Sequence, residues 1–224
     1  MVMEANEIQR ILDKILFQVQ KPGRYTGGEI NQVTKTWHSI QTEVALVFPD
    51  LYDLGMSNLG WAILYDLINQ RTDTLAERAF APAADMEALM RAHKVPLYSL
   101  ESKQPLSAFD IIGISLPYET LYTNTLNLLD LSGIPLFTSE RNESHPLVIA
   151  GGHACFNPEP MHAFIDAFVI GEGEEVIQDI INAYQAWKSQ NTTKKDLLIN
   201  LAQIWGVYVP SLYQDHYHSD GTFK

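Results

Sequence analysis

A single cysteine, Cys155, stands among 224 residues. One thiol closes no internal disulfide, and it supplies neither a four-cysteine zinc site nor an iron–sulfur cluster. The expected compartment is therefore the reducing cytoplasm. Basic residues are scarce as well. Fifteen lysines and arginines face 27 aspartates and glutamates, the net charge is −12, and Lys194-Lys195 is the longest basic run. Nucleic-acid binding needs a basic stripe, so it is not expected of this chain. No apolar run reaches the ~18 residues of a membrane span. The apolar residues of Met1–Gln20 are interrupted by Glu4, Glu7, Asp13 and Lys14, unlike those of a signal peptide. Internal repeats and low-complexity tracts are also missing. What remains is 46% hydrophobic and 19% charged, the composition of a globular chain with a substantial core.

Ile8, Ile11, Leu12, Ile15, Leu16 and Val19 recur at helical spacing, which predicts an amphipathic opening helix packed on the body. The proline and glycines of Lys21–Gly28 predict a loop. From Glu43 onward, apolar strands alternate with helical patterns. The strands are Val44–Phe48, a short one near Ala79–Phe80, Phe109–Leu116, Pro146–Ala150 and one within Ala163–Ile170. The helices are 58–70, one carrying Met86, Leu89, Met90 and His93, Tyr118–Leu131 ended by Gly133, and one from Gly173 to about Ser189. This alternation implies parallel βαβ units. The short continuous apolar strands suit a sheet covered on both faces. The expected fold is α/β, a doubly wound, mostly parallel five-stranded sheet of the Rossmann/flavodoxin-like kind over residues 43–190. An N-terminal helical extension (1–42) precedes it, and a helix with a linker (191–224) follows.

Ligands of such sheets bind beyond the carboxyl ends of the strands, at the switch point. The loops there are Asp50–Gly55, Ser115–Glu119, Gly151–Pro158 and Gly171–Glu175. Several common sites are excluded. No G-x-G-x-x-G follows the first strand. Gly55 and Gly60 have P-loop spacing, but Trp61 stands where the lysine belongs. No G-x-S-x-G exists for a hydrolase nucleophile. Ser115 occupies the place of a phosphoacceptor aspartate.

The loops instead read Asp50-x-Tyr52-x-x-Gly55, then Ser115-Leu116, then Gly151-Gly152. This order resembles the cobalamin-binding pattern D-x-H-x-x-G, S-x-L and Gly-Gly. Two departures are plain: Tyr52 replaces the histidine that ligates cobalt, and Ser115-Leu116 lacks the spacer. Gly151-Gly152-His153, Pro158-Glu159, Asp166 and Gly171-Glu172-Gly173-Glu174 extend the likeness. So do "KPGRYTGGEIN" and "LYTNTLNLLDLSGIPL". Together they resemble the N-terminal cobalamin-binding-like domain of a large, uncharacterised bacterial radical SAM family, over about residues 15–215. The resemblance implies a corrinoid, histidine-off, held by Asp50, Tyr52, Gly55, Ser115, Leu116, Tyr118, Gly151, Gly152, His153, Gly171, Glu172 and Gly173. It implies a partner too, the radical SAM barrel, in cis or as a split chain. The [4Fe–4S] cluster and S-adenosylmethionine would belong to that barrel. The C-x-x-x-C-x-x-C motif is absent here, so this chain is not expected to be catalytic by itself, and a truncated, split or fragment form is expected.

The same residues have plainer readings. Asp50, Tyr52 and Gly55 suit an ordinary turn. Ser115 suits a helix cap. Gly151-Gly152 suits close packing as well as a ligand, and His153 suits a hydrogen-bonded structural histidine. Cys155 suits a small buried apolar residue, the glutamates 172, 174 and 175 suit a helix start, and His216-x-His218 suits a solvated tail. Tyr52, Tyr118 and Tyr122 suit either a flat ligand or a bridge between core and surface. A cofactor-free interaction or regulatory domain is therefore the competing function. A flavodoxin-like nucleotide binder lacks the phosphate loop it would need.

Overall fold

The computed structural model describes residues 3–37, 39–190, 192–214 and 216–222. Met1, Val2, His38, Asn191, Asp215, Phe223 and Lys224 lie outside the described residues. The elements run α1 (Ala5–Ile15), β1 (Thr42–Phe48), α2 (Tyr52–Gly55), α3 (Leu59–Gln70), β2 (Thr74–Phe80) and α4 (Ala84–His93). They continue with β3 (Ile111–Ser115), α5 (Tyr122–Leu131), β4 (Leu147–Gly151), β5 (Ala167–Val169), α6 (Gly173–Gln190), α7 (Lys194–Leu201) and β6 (Val207–Tyr208).

The strands form one sheet in the order β2-β1-β3-β4-β5-β6. The first five are parallel and β6 is antiparallel to β5, pairing Phe168 with Tyr208 and Val169 with Val207. The doubly wound α/β expectation holds. The strand count does not: six strands form instead of five, because residues expected in a linker close the edge of β5. A second difference is the length of β2. Glu77 and Arg78 interrupt its apolar pattern, yet all seven residues pair with β1. Their polar side chains find partners in the lead-in. Trp37 Nε1 donates to Glu77 Oε1 at 3.0 Å, Arg78 Nη1 donates to Asn31 Oδ1 at 3.0 Å, and Lys35 Nζ donates to the Thr74 carbonyl at 2.6 Å. Residues 31–37 thus cover an edge strand that would otherwise offer open pairing groups.

Alternate residues of each strand face opposite layers. Ala45, Val47, Ile112, Ile114, Val148, Ala150 and Phe168 pack with α1, α4 and α5. Val44, Leu46, Ile111, Ile149, Ala167 and Val169 pack with α3, α6 and α7. The opening helix joins the first layer as expected, burying Ile8, Leu12 and Ile15. Each such side chain contributes up to roughly 1.5–3 kcal/mol. Helix starts are set locally. The Asn58 side chain accepts from Trp61 N at α3, and Thr193 with Asp196 forms a capping box at α7.

Candidate functional site

The parallel strands all end on one side, and β1 and β3 are neighbours whose connections leave in opposite directions. Ligand sites form at such a switch point. On the face toward α3 and α6, the strand ends carry small residues. Gly113 and Ser115 lie two apart on β3, so they share that face, and Ser115 is in register with Gly151 of β4. Leu46, Ile149 and Val169 line the hollow from the sheet, and Trp61, Leu64 and Ile177 from the two helices. The result is a cavity of about 260 Å³, with Asn58, His153, Glu172 and Glu174 among its lining residues.

Seven of the expected site residues meet there: Ser115, Gly151, Gly152, His153, Gly171, Glu172 and Gly173. The Ser115 hydroxyl caps no helix; α5 begins without a side-chain cap. His153 is exposed, with its ring 5.7 Å from that of Phe156. It is not the hydrogen-bonded structural histidine that its plainer reading proposes. Gly151 has room to spare, since an added Cβ would lie 3.6 Å from Val169 Cβ, an ordinary contact. Gly152 has none. Its φ is +113°, and a Cβ would meet the Leu116 carbonyl oxygen at 2.7 Å. That close approach lets Leu116 N donate to the Gly151 carbonyl at 2.7 Å and Ala154 N donate to the Leu116 carbonyl at 2.9 Å. Gly152 therefore serves the joint between two loops.

The other five residues lie outside the cavity lining. Asp50 Oδ2 accepts from Tyr118 Oη at 3.1 Å, which ties the loops after β1 and β3 together. Burial, then this carboxylate, raises the Tyr118 pKa. Leu116 is buried in the opposite core layer. Tyr52 begins the short helix α2, donates to Glu29 Oε1 at 2.7 Å and packs edge-on against Phe80, ring centroids 5.3 Å apart. Gly55 sits under the same ring, where an added Cβ would lie 2.5 Å from Phe80 Cε1. The spacing Asp50-x-Tyr52-x-x-Gly55 is thus accounted for by packing of the strand end and lead-in.

Sequence reading missed Gly113, Asn58, Trp61 and Leu64 as lining. The available signal was the two-residue spacing of Gly113 and Ser115, which puts both small residues on one sheet face. The chemistry of the lining is apolar with an acidic rim. It contains no lysine or arginine, so it offers no cation to a phosphate chain. Among the described residues, no group of three or more His, Cys, Asp or Glu side chains is placed to hold a metal ion. None of their helices is long and apolar enough to cross a membrane.

Fold and cavity together define a doubly wound α/β domain with a small, mostly apolar hollow at its switch point. The family described as "Radical SAM proteins, N-terminal" matches residues 60–210, and the chain belongs to that family. It is similar to "Uncharacterized protein MJ0966" of Methanocaldococcus jannaschii, with 27% identity over 143 residues, or 62% of this chain and 26% of that protein. The chain thus spans about a quarter of that relative's length. No solved structure matches it.

Proposed function

We propose that this chain is the N-terminal module of a radical SAM enzyme and holds part of a corrinoid, histidine-off, at the ends of its parallel strands. The observation that carries this reading is the hollow left by Gly113, Ser115 and Gly151. Packing alone does not require a glycine at 151, since a Cβ fits there. The space is smaller than the roughly 300–1,000 Å³ of ordinary ligand pockets, so it suits a flat appendage of the cofactor, such as its nucleotide base, and not the corrin ring. Ser115 and Gly151 would hold that group, with Trp61 and Ile177 closing it from the helices. Tyr52 bears no ligand to cobalt in this reading, because its hydroxyl is committed to Glu29. When bound, a corrinoid supplies a cobalt-centred methyl carrier.

The catalytic barrel would face the same end of the sheet. Leu59 is 74% exposed, Phe156 65% and Trp205 95%, and all three follow or flank the carboxyl ends of strands. These exposed apolar side chains are the ones a barrel docked at this end would cover. The lone buried thiol fits a cytoplasmic setting.

A second reading rests on the packing of Asp50, Tyr52 and Gly55. In it the cofactor site is degenerate and the module caps or docks the barrel without a ligand. Titration with hydroxocobalamin, followed by gel filtration, separates the two. Stoichiometric retention that Gly151→Val abolishes supports the corrinoid. Absence of retention by folded protein assigns the module to docking.

A further inference from the structure

The hollow at the carboxyl ends of the strands joins apolar walls to a polar rim. Leu46, Ile149, Val169 and Ile177 are buried, and Gly113 and Gly151 leave the space in front of them. Five polar side chains line the same space: Asn58, Ser115, His153, Glu172 and Glu174. Asn58, Ser115 and Glu174 are half-buried, and His153 and Glu172 are exposed. Asn58 Oδ1 is spent on the α3 cap, accepting from Trp61 N at 3.0 Å. Among the described residues, Asn58 Nδ2, the Ser115 hydroxyl, the His153 ring and both carboxylates have no hydrogen-bond or ion-pair partner. None of these atoms is sealed from solvent, so a bound group can reach them.

A group that fills the hollow takes water from the half-buried members, and each then needs a replacement hydrogen bond. The carboxylates only accept, so the group must bring N–H donors. The Asn58 amide nitrogen only donates, so the group must also bring an acceptor. The Ser115 hydroxyl takes either role. Two carboxylates and no lysine or arginine line the space, which disfavours an anion. The lining thus calls for a flat, uncharged ring with apolar faces and with donor and acceptor together on its edge. An aminopurine has that edge, an exocyclic amine beside ring nitrogens.

We infer that the hollow selects an aminopurine. The inference rests on the corrinoid reading above and names the cofactor's class: a cobamide whose lower base is adenine, in preference to cobalamin, whose lower base is dimethylbenzimidazole. The latter base is equally flat, but it carries methyl groups on the ring where adenine carries its amine. Seated in the hollow, it would strip water from Glu174 and return no donor. A site built on hydrogen bonds rejects the analogue that lacks them.

The test is equilibrium dialysis of the 224-residue chain against the adenine cobamide and, separately, cobalamin, both in the hydroxo form and read by visible absorbance. The expected result is one adenine cobamide per chain, with cobalamin bound about tenfold more weakly or less. Ser115→Ala and Glu174→Ala remove no side-chain hydrogen bond among the described residues. Melting curves of both variants should therefore match the parent, while the preference falls by about threefold or more in each. A preference that came from the cobamide's own base-on equilibrium would survive both substitutions. Equal affinities, tighter binding of cobalamin, or a preference unchanged in both variants overturns the inference and leaves the corrinoid reading standing. Retention of neither corrinoid by folded protein overturns both.

Discussion

Tyr52 Oη donates to Glu29 Oε1 at 2.7 Å across 23 residues, joining the loop after β1 to the N-terminal lead-in. The hydroxyl is thereby withdrawn from the cavity that Ser115 and Gly151 line. Tyr52→Phe should keep the edge-on contact with Phe80 and lose about 0.5–1.5 kcal/mol of stability, the usual net value of one hydrogen bond. Urea denaturation measures it. Tyr52→His should place an imidazole beside Glu29 and Phe80, and the spectrum of any retained corrinoid should stay unchanged. A histidine-ligated cobalt spectrum would show that the loop reorganises around the cofactor.

Two glycines that look alike in sequence should behave differently. Gly55→Ala drives a methyl into Phe80 and Phe48, and overpacking of this kind typically costs about 1–3 kcal/mol. Ligand retention at the strand ends should be little affected. Gly151→Ala meets only ordinary contacts, so its melting temperature should stay near that of the parent while the cavity narrows. Paired melting curves and binding titrations for the two variants check this.

Arg78 and Glu101 form a pair buried to 2% and 1% side-chain exposure, with Arg78 Nε 2.5 Å from Glu101 Oε1. The Tyr65 ring lies 4.4 Å beneath the guanidinium. Removing one partner strands a buried charge, so Glu101→Ala should cost about 3–5 kcal/mol. Because Arg78 also holds Asn31, hydrogen exchange should rise in the lead-in before the sheet as a whole opens.

Alkaline pH should unfold the protein through its tyrosines. Burial raises Tyr65 to about 12, and burial with the Glu29 hydrogen bond raises Tyr52 to about 12. The folded state then holds these protons more tightly than the unfolded chain does. The stability they contribute is complete below the ordinary value of 10 and is lost as pH climbs to about 12. Buried Lys103 and Lys194 act with the opposite sign. Their folded pKa values are lowered by burial, so stability rises with pH between those values and 10.5. Denaturation midpoints between pH 8 and 12 should therefore pass through a maximum and then fall.

Cys155 should be inert in the folded protein, since burial pushes its thiol up to about 12. Reaction with a thiol reagent at neutral pH should proceed only at the rate of unfolding, and urea should accelerate it.

The alternation of apolar strands and helical patterns determined the parallel doubly wound sheet, because each element advertises its own period within a few residues. The cavity at the carboxyl ends of the strands lies where that topology alone had pointed. Two features escaped local reading. Strand β2 carries Glu77 and Arg78, whose burial is stable only because Trp37, Asn31 and Glu101 arrive from elsewhere in the chain. Strand β6 is two residues long, too short to show any period, and exists by pairing with β5. The roles of individual residues were likewise decided by tertiary contact. Gly55 and Gly151 share one letter, yet one is pressed by Phe80 and the other opens a cavity. Arg141, Asp166 and Lys194 are far apart in sequence and become a cluster only when β4, β5 and α7 come together. Local pattern fixes which way a side chain faces; only long-range packing decides what it meets.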